Sequence, residues 1–521
     1  MKKILIVLWL FFGFSSQKSW AQTTHRYIIS TNDQTHFLLI KNQISDYTKN
    51  QKFIQSSLAL DQLNVFIIDS ALSLNKIKNS FEDTLIEEDY LFPIPKWNKN
   101  LFKKNESRHI NLFTDPTWNV QFVKAPQAWA QGYFGQNTRV MLLDSGIDKD
   151  HPSIKDNFEK GQDFAGGVNK PYAYFDSIGH GTHTSGIVLG QSSPKGSIGV
   201  APQAKLLMAR VCSSTSCSAS AVLKGLNWAL QEKVDVVNLS LSKPESSQAE
   251  VNAIKKLEDA GIVVVASSGN DGKANVLYPA ALPTVISVGS VNENLAKSVF
   301  SNWGETLDLV APGDNILSAS PIGKGALTQV LIDEKSISSA TFVGAPITIT
   351  SFSSELINCT NGLPTDFPNE VKGKTALIKR GDIRFIDKLN NAIKAGAKAV
   401  IFYNNESGLV VGDLHGKVQI PVALVLQNDG EKIIQDLASG QVVHSKISNS
   451  VSDYVYNSGT SMATPHVAGV VALIKSKNKN LTPVQIRNIL ANGAVPFPVG
   501  PENYFGAGLV DAEKSLQLTP N

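Results

Sequence analysis

Between residues 111 and 330, short apolar runs alternate with stretches of helical periodicity. Residues 139–143, 234–239 and 261–266 are rich in β-branched side chains and are bounded by turn residues, which is typical of buried strands. Residues 250–260, between the last two runs, have the spacing of a helix. Strands and helices that alternate in this way predict an α/β fold, with a central parallel sheet covered by helices in three layers.

The residues before this region carry a pattern of their own. The runs that predict three strands and one helix are 25–30, 64–69, 84–90 and, for the helix, 72–81. Residues 96–108 are polar and charged without periodicity, which predicts an exposed linker. Residues 22–107 are therefore expected to form a small α+β segment that ends in this linker.

A third pattern interrupts the first near Gly323. Residues 331–450 contain their own strands and one helix, at 385–395, and the parallel-sheet pattern resumes afterwards. This arrangement predicts a mainly-β domain inserted into a loop of the α/β domain. The α/β domain then consists of residues 111–330 and 451–521.

Length and charge limit the function classes. A chain of 521 residues is too long for one hydrophobic core, in agreement with the separate patterns. The net charge of +3 is small for this length, whereas nucleic-acid binders neutralise phosphates with many cations. We therefore expect no nucleic-acid partner, and the oligomeric state is left open.

The first residues have the features of an export signal. Two lysines precede an apolar run over 4–14, and the small residues Ser19 and Ala21 suit a signal peptidase. This run is too short to cross a bilayer, and no other apolar run approaches about 18 residues. We expect residues 1–21 to be a cleaved signal peptide and the mature protein to be secreted, extracellular or periplasmic, with no membrane attachment.

The cysteine content disfavours a structural zinc site. The chain has 3 cysteines, Cys212, Cys217 and Cys359, and no paired Cys-x-x-Cys motif. Cys212 and Cys217 are close enough to bridge a small loop in an oxidising compartment, and the sequence leaves their pairing open.

Asp144 stands where an apolar strand ends, in the sequence Asp-Ser-Gly at 144–146. Parallel sheets gather functional groups at the carboxyl ends of their strands, so this placement indicates a site. A turn or capping aspartate is equally common there. Aspartic proteases share the Asp-Ser-Gly pattern, but their chemistry needs two carboxylates that share a proton. The chain contains no second copy, so that alternative would require a dimer.

The sequence Gly-His-Gly-Thr-His-Thr at 179–184 places His180 and His183 three residues apart. A metal site is disfavoured, because neither a glutamate inside the pair nor a third nearby ligand completes a metalloprotease motif. A neutral imidazole accepts a proton near pH 7, and the flanking glycines leave room for a substrate backbone. One of the two histidines is therefore predicted to act as a general base.

Ser461 is predicted to begin a helix, because residues 459–469 pass from small polar to apolar and continue with helical spacing. A serine in the first turn combines a hydroxyl with a backbone N–H that has no intrahelical acceptor. Pro465 is expected to be tolerated because the first four helical N–H groups have no acceptor to lose. The alternative is plain capping of the helix by Thr460 or Ser461.

Asn270 directly follows an apolar strand, in Ser-Gly-Asn-Asp-Gly at 268–272. Alone it would be interpreted as a turn residue. Beside a serine nucleophile, its side-chain amide could donate to the oxyanion of a tetrahedral intermediate, together with the Ser461 N–H. The loss of one such donor lowers turnover by roughly 10²–10³.

Taken together, these motifs resemble those of the subtilase family of serine proteases. The three that carry the resemblance are Asp-Ser-Gly at 144–146, His-Gly-Thr-His at 180–183 and Gly-Thr-Ser-Met-Ala at 459–463. They occur in the family's order of Asp, His and Ser. Supporting stretches lie at 199–202, 238–241, 268–270 and 310–313, so the resemblance spans about residues 114–512 without the insertion.

The resemblance implies a role for each of these residues. Ser461 would be the nucleophile, His180 the base that takes its proton, and Asp144 the carboxylate that orients the imidazole and stabilises the imidazolium. Asn270 and the Ser461 N–H would form the oxyanion hole. His183 would make structural contacts only. The implied activity is that of a serine-type endopeptidase that acts on extended protein or peptide substrates.

The resemblance also implies which residues contact the substrate, and this chain differs from many relatives at two of these places. Ser240, Leu241 and Ser242 resemble the strand that pairs with extended substrate, a form of recognition by strand addition. Relatives often have glycines after the Ser-Leu pair, whereas this chain has Ser242 and Lys243. Leu277 stands where many relatives have a glycine on the floor of the primary specificity pocket, so we expect a pocket narrowed against large aromatic side chains.

No cofactor is expected to be required. Calcium-binding relatives tend to have a carboxylate after the His-Pro pair that follows the catalytic aspartate, and this chain has Ser153 there. Calcium is therefore possible but doubtful.

The flanking segments resemble known accessory domains. Residues 22–107 are similar to a subtilase propeptide, which implies a self-processed precursor that is inhibited by this segment until the linker is cut. Residues 331–450 are similar to the protease-associated (PA) domain, above all over 371–381 and 392–404. Such a domain limits access or binds protein substrate. A competing hypothesis is a secreted binding protein that keeps the scaffold without activity. The loss of a triad residue would favour that hypothesis, but Asp144, His180, Ser461 and Asn270 are all present.

Overall fold

The computed structural model describes residues 24–31, 33–50, 53–81, 83–94, 117–166, 173–191, 198–337, 339–342, 345, 351–405, 414, 418–497 and 501–521. The chain divides into two compact units, residues 1–59 with 64–89 and residues 60–63 with 90–521. The predicted signal peptide and the linker at 96–108 lie outside the described residues. Among the residues described, no helix is long and apolar enough to cross a membrane.

The first unit is a small α+β fold. Its four-stranded sheet has the order β2-β3-β1-β4, with β1 antiparallel to both β3 and β4. The elements are β1 (His25–Ser30), α1 (Gln34–Lys49), β2 (Ile54–Leu60), β3 (Val65–Ser70), α2 (Leu74–Lys78) and β4 (Leu85–Glu88). Helix α1 was not predicted from the sequence, although Phe37, Ile40 and Ile44 form its buried face at helical spacing.

The first strand that lies wholly within the second unit is β5 (Leu91–Pro93), and this unit is built around a parallel sheet of seven strands. Its order is β13-β12-β11-β10-β6-β8-β7, and every pair within it is parallel. The strands before the insertion are β6 (Arg139–Asp144), β7 (Phe158–Asp163), β8 (Lys205–Arg210), β9 (Ser216–Ser218), β10 (Val236–Leu239), β11 (Val263–Ser267), β12 (Ile286–Val291), β13 (Leu309–Pro312) and β14 (Ile316–Ala319). This sheet confirms the predicted α/β fold class.

Helices accompany this sheet in the order expected of an α/β fold. They are α3 (Trp118–Phe122), α4 (Ala125–Ala130), α5 (His180–Leu189), α6 (Ala219–Glu232) and α7 (Gln248–Asp259) before the insertion. The strands predicted at 234–239 and 261–266 begin two residues later, at Val236 and Val263. In the second case the reason is Gly261, whose φ of +80° belongs to the turn that ends α7.

The insertion forms an eight-stranded sheet with the order β16-β15-β22-β18-β19-β20-β21-β17. Its elements are β15 (Gly325–Ile332), β16 (Lys335–Ile337), β17 (Ser339–Thr341), β18 (Phe352–Asn358), β19 (Thr375–Lys379), α8 (Phe385–Lys394), β20 (Ala399–Tyr403), β21 (Val422–Val425), α9 (Gln427–Ala438) and β22 (His444–Ser452), with short 3-10 turns at Pro364–Asp366 and Asn369–Val371. The predicted mainly-β character is confirmed.

After the insertion the chain returns to the parallel sheet. The remaining elements are β23 (Tyr454–Asn457), α10 (Thr460–Lys477), α11 (Pro483–Gly493), a 3-10 turn at Glu502–Tyr504 and α12 (Ala512–Leu518). The strand before the insertion, β14, pairs antiparallel with β23. The two ends of the insertion are thus held side by side directly before α10.

The central helix α10 packs against strands β10 to β13 and against α5 and α12. Residues 460–475 are all buried, so the helix has no solvent-facing stripe. Gly469 permits part of this packing, because a Cβ there would lie 2.6 Å from Val200 Cβ. The first turn of this helix is consequently held in a fixed position at one edge of the sheet.

Candidate active site

The predicted site residues converge at the carboxyl edge of the parallel sheet. Asp144 ends β6, Ser240 follows β10, and Asn270 follows β11 by three residues. The strand order changes direction between β6 and β10, which is where open parallel sheets hold their ligands. His180 and Ser461 reach the same edge from the first turns of α5 and α10, which pack against each other.

Asp144 and His180 form a short, buried hydrogen bond. The distance from His180 Nδ1 to Asp144 Oδ1 is 2.6 Å, and the side chains are 2% and 1% exposed. Asp144 also accepts from the Ser145 N–H at 2.7 Å and from Thr184 Oγ1 at 3.1 Å. Burial lowers the pKa of His180, but the charge and hydrogen bond of Asp144 outweigh it, with help from Asp176, so that the pKa lies above its ordinary value.

Ser461 and Ser240 exchange two hydrogen bonds. Ser461 Oγ donates to the Ser240 carbonyl at 3.1 Å, and Ser240 Oγ donates to the Ser461 carbonyl at 2.9 Å. The helix begins at Thr460, so Pro465 is its sixth residue. The prediction that Pro465 would cost no backbone hydrogen bond was therefore wrong, because a proline there removes the N–H that would bond to the Ser461 carbonyl. The Ser240 hydroxyl replaces it.

The Asn270 side chain is oriented by Thr460. Its Oδ1 accepts from both the backbone N–H and the hydroxyl of Thr460, each at 2.8 Å. With the oxygen held in this way, the NH₂ group of Asn270 is directed away from Thr460. A Cβ built on Gly459 would lie 3.4 Å from Asn270 Nδ2, which places this donor beside the segment that leads into Ser461.

Asp176 is a buried carboxylate that the sequence analysis did not single out. Its Oδ1 accepts from Ser145 Oγ at 2.9 Å and from the Gly179 N–H at 2.8 Å. Its Oδ2 accepts from the N–H and hydroxyl of Thr182 at 2.8 and 2.7 Å. Asp176 thus connects the end of β6 to the first turn of α5, the two elements that hold Asp144 and His180. Its place four residues before His180, ahead of a helix start, was the available signal.

The other two histidines near the site are neutral and make structural contacts. His183 Nε2 lies 3.1 Å from the carbonyls of both Ile316 and Val455, so it connects α5 to β14 and β23. Burial lowers the pKa of His183 to about 3. His466, on α10, lies 2.8 Å from the Met462 carbonyl and 2.8 Å from Asn119 Nδ2, and burial lowers its pKa to about 4.

The predicted substrate positions surround these residues. Leu241 is buried and Ser242 half-buried in the extended segment that follows Ser240. The Leu277 N–H donates to the Ser268 carbonyl at 2.9 Å, and a Cβ on Gly269 would lie 2.8 Å from Leu277 Cδ1. Leu277 therefore packs against the residue that precedes Asn270.

A short edge strand near the site already carries an extended segment. Strand β9 pairs antiparallel with β5, in the register Leu91 to Ser218, Phe92 to Cys217 and Pro93 to Ser216. Cys217 is joined to Cys212 by a disulfide, which resolves the pairing that the sequence left open. Cys359 is a buried free thiol in the insertion, and burial raises its pKa to about 12.

The residues around Ser153 do not fit a calcium ion. Ser153 is buried, and its hydroxyl lies 2.7 Å from the Tyr454 hydroxyl. Calcium prefers several oxygens that include carboxylates. Over the described part of the chain, no group of three or more His, Cys, Asp or Glu side chains could hold a metal.

Comparison with known proteins agrees with this geometry. The profile described as "Subtilase family" matches residues 135–354 and 433–508, more than half of the chain, and the PA domain profile matches residues 345–433. The chain belongs to the subtilase family. It is accordingly a serine-type endopeptidase that carries a PA domain, and the predicted family resemblance is confirmed.

Three similar proteins show how far the likeness extends. The "Major intracellular serine protease" of Bacillus subtilis (strain 168) is 38% identical over 232 residues, 42% of this chain and 72% of that protein. The "Minor extracellular protease Vpr" of the same strain is 29% identical over 462 residues, 75% of this chain and 52% of that protein. This subtilase thus spans about half the length of Vpr. The psychrophilic subtilisin-like protease Apa1 from the Antarctic psychrotroph Pseudoalteromonas sp. AS-11 has 27% identity and a TM-score of 0.61, over 77% of this chain and 96% of that one.

Proposed function

We propose that this subtilase is a secreted endopeptidase that cleaves peptide bonds with Ser461, His180 and Asp144 through an acyl-enzyme. The observation that carries the proposal is the buried 2.6 Å hydrogen bond between Asp144 and His180, at the sheet edge where α10 begins with Thr460 and Ser461. The proposed nucleophile, base and orienting carboxylate then lie together at the sheet edge where the strand order reverses, and these are the three groups that acyl transfer requires.

In the first step, Ser461 Oγ attacks the substrate carbonyl carbon and its proton passes to His180 Nε2. The Nδ1 hydrogen bond to Asp144 fixes the tautomer that leaves Nε2 basic, and the carboxylate stabilises the imidazolium that forms. The imidazolium then protonates the departing amine, and an ester to Ser461 remains. In the second step His180 takes a proton from water, the resulting hydroxide attacks the ester, and Ser461 recovers its proton.

The negative oxygen that develops in both steps is stabilised by two donors. One is the Ser461 N–H in the first turn of α10, where the helix dipole also favours negative charge. The other is the Asn270 NH₂ group, whose orientation follows from the two bonds between its oxygen and Thr460. The loss of either donor is expected to lower the turnover rate by a factor of roughly 10²–10³.

Substrate binds in an extended conformation along residues 240–242 and the β9 edge, and Leu277 narrows the pocket beside Asn270. The pairing of β5 with β9 supports this, because it shows that the edge accepts an antiparallel segment. The enzyme is made as a precursor in which residues 1–21 direct export and residues 22–107 act as an inhibitor until Ser461 cuts them away. The name of Vpr as an extracellular protease supports export.

The remaining proposals concern accessory parts. The inserted PA domain, residues 331–450, limits access or binds protein substrate, and no nucleic acid takes part. Calcium is not required, since Ser153 offers a hydroxyl that already contacts Tyr454. Casein hydrolysis that survives dialysis against EDTA supports this last point, and a loss that added calcium restores overturns it.

Active-site labelling tests the proposed function. The purified protein is treated with a fluorophosphonate probe, and the labelled peptide is identified by mass spectrometry beside a casein assay. We expect label on Ser461, casein hydrolysis, and the loss of both in Ser461→Ala and His180→Ala. Absence of label and of casein hydrolysis in the wild type would instead favour a binding protein that keeps the scaffold.

A further inference from the structure

The inserted domain joins the α/β domain through two short crossings that are bonded to each other. One runs from β14 to β15, over residues 320–324, and the other is Asp453, between β22 and β23. The Asp453 carbonyl accepts from the Ser320 N–H at 2.7 Å. Its side-chain Oδ1 accepts from the Gly323 N–H at 2.8 Å. Residues 320–324 and Asp453 are called the root of the insertion below.

The root contacts the loop that follows Asp144. Asp148 Oδ2 accepts from the Ile322 N–H at 2.8 Å, and His151 Nε2 lies 2.8 Å from the Asp453 carbonyl. Each crossing thus has a partner of its own in this loop. The side chains of Asp148 and His151 are buried, at 6% and 0% exposed. These two contacts help to fix the place where the insertion leaves the α/β domain.

The hydrogen bonds of His151 require a neutral ring. Its Nδ1 accepts from the Ser153 N–H at 3.1 Å, so this nitrogen carries no proton. The Asp453 carbonyl can only accept, so Nε2 carries the proton and donates to it. Protonation of the ring would place a second N–H at Nδ1, directly against the Ser153 N–H. The acceptor would be lost, and two donors would face each other inside the protein.

The groups around His151 act on its protonation in opposite directions. Burial lowers its pKa, whereas the hydrogen bond and charge of Asp453 and the charge of Asp148 raise it. Burial prevails, so the pKa lies below the ordinary 6.5. The titratable group that β23 presents to the ring is Tyr454, whose ring centroid is 5.1 Å away and whose hydroxyl lies 2.7 Å from Ser153 Oγ. The structure therefore favours the neutral ring that the hydrogen bonds require.

The same loop is joined to helix α5 by bonds that do not involve His151. The Asp148 N–H donates to Thr182 Oγ1 at 3.1 Å. Thr182 is held in turn by Asp176, which accepts from its N–H and its hydroxyl. Release of the root can therefore leave the first turn of α5 in place.

We propose that His151, Asp148 and Asp453 form an acid-sensitive latch, in which protonation of His151 releases the root of the insertion from the loop after Asp144. Above the ordinary histidine pKa the ring is neutral and the latch is closed. As pH falls below that value, the opened root binds a proton that the closed root does not, so opening becomes more favourable. The latch goes beyond the proposed cleavage reaction, because it makes the attachment of the inserted domain respond to acid.

Hydrogen exchange of the root amides tests the latch. The full chain is used as Ser461→Ala to exclude self-digestion, and each exchange rate is divided by the intrinsic rate at the same pH. Peptides that contain Ile322 and Gly323 report the bonds to Asp148 and Asp453. Between pH 7 and pH 5 we expect their corrected exchange to rise by about 3- to 30-fold, the range that uptake of one proton by an opened histidine allows. Peptides from the first turn of α5 should keep their corrected exchange.

Two substitutions in the same background serve as variant and control. His151→Gln removes the titration and keeps a donor for the Asp453 carbonyl, so its root should exchange equally at both pH values after correction. His444→Gln changes an exposed histidine and should retain the acid response. An acid response that persists in His151→Gln overturns the proposal and assigns the response to the carboxylates.

If His151→Gln fails to fold, His151→Asn takes its place, since it keeps an acceptor for the Ser153 N–H and cannot titrate either. Corrected root exchange that is unchanged at pH 5 in the parent protein also overturns the latch. None of these measurements requires proteolysis. A wild type that does not hydrolyse casein therefore overturns the proposed function and leaves the exchange result to decide the latch.

Discussion

At the scale of single residues, Ser461 depends on a partner that compensates for a proline. Pro465 removes the backbone donor of the Ser461 carbonyl, and the Ser240 hydroxyl supplies another at 2.9 Å. The carbonyl is buried, so the loss of its partner would leave an unsatisfied acceptor. The pairing also connects the end of β10 to the first turn of α10, and so holds the proposed substrate strand, residues 240–242, against Ser461.

This pairing predicts non-additive effects of Ser240→Ala and Pro465→Ala on stability. Measured in a Ser461→Ala background to prevent self-digestion, Ser240→Ala should lower the free energy of unfolding by about 1–3 kcal/mol. Pro465→Ala restores an N–H to the same carbonyl, so it should recover part of that loss in the double change. Denaturant unfolding of the four proteins gives the coupling, and strictly additive effects would exclude the shared acceptor.

Asp176 predicts a change in the pH profile. Its carboxylate contributes to the raised pKa of His180, and in the proposed mechanism His180 must be neutral to accept the Ser461 proton. In the wild type, kcat/KM should therefore rise with pH through an apparent pKa above 6.5. Asp176→Asn removes a negative charge and should move this limb to lower pH, whatever it does to the maximal rate. Asp150→Asn changes the net charge equally at an exposed position and should leave the limb in place; equal shifts in both variants would contradict the assignment.

Leu277 predicts the size limit of the pocket beside Asn270. Its side chain packs against Gly269, directly before Asn270, the proposed oxyanion donor. Leu277→Gly should raise kcat/KM for cleavage after Phe relative to cleavage after Ala by about 10-fold or more, the scale on which pocket size discriminates. The comparison uses two chromogenic peptides that differ only in this residue. A wild type that already prefers Phe would refute the narrowed pocket.

At the scale of elements, helix α10 contains a buried histidine that makes the folded protein less stable in acid. His466 is fully buried within it, and its pKa of about 4 lies below the ordinary 6.5. Between these values the unfolded chain binds a proton that the folded chain does not, so stability falls as pH drops below 6.5 and is unaffected above it. The shift corresponds to on the order of 3 kcal/mol at pH 4.

His466→Gln should therefore reduce the loss of stability between pH 6.5 and 4. Thermal unfolding in the Ser461→Ala background measures it. The same change at exposed His444 serves as the control and should leave the dependence unchanged. An acid dependence that is identical in all three proteins would show that His466 does not titrate as described.

Several elements could be predicted from sequence because their signals are local. The apolar runs that became β6, β10 and β11 are continuous and bounded by turns, and strand–helix alternation implies a parallel sheet. The predictions that failed concern residues whose role depends on distant partners. The consequence of Pro465 depends on where the helix begins and on Ser240, a partner 221 residues away. The role of Asp176 depends on Ser145, 31 residues away, and on the packing of α5. Contacts of this range have no periodic signature.

At the scale of the whole second unit, the insertion leaves the site intact because its ends are tied together. Strand β14 enters it and β23 leaves it, paired from Ile316 with Asn457 to Ala319 with Tyr454. His183 contacts carbonyls on both strands, so α5 holds the same junction. Only Ser458 and Gly459 separate β23 from α10. A large domain can therefore occupy this loop while the position of Ser461 is set by elements outside it.

Ser461 is proposed to cut peptide bonds, including the one that releases the N-terminal segment. The mature mass and N-terminal sequence of the wild type, measured beside Ser461→Ala exported from the same host, test it most directly. We predict that the wild type loses the segment and digests casein, whereas Ser461→Ala keeps it attached. Identical processing of both proteins, with no casein hydrolysis by either, would contradict the account.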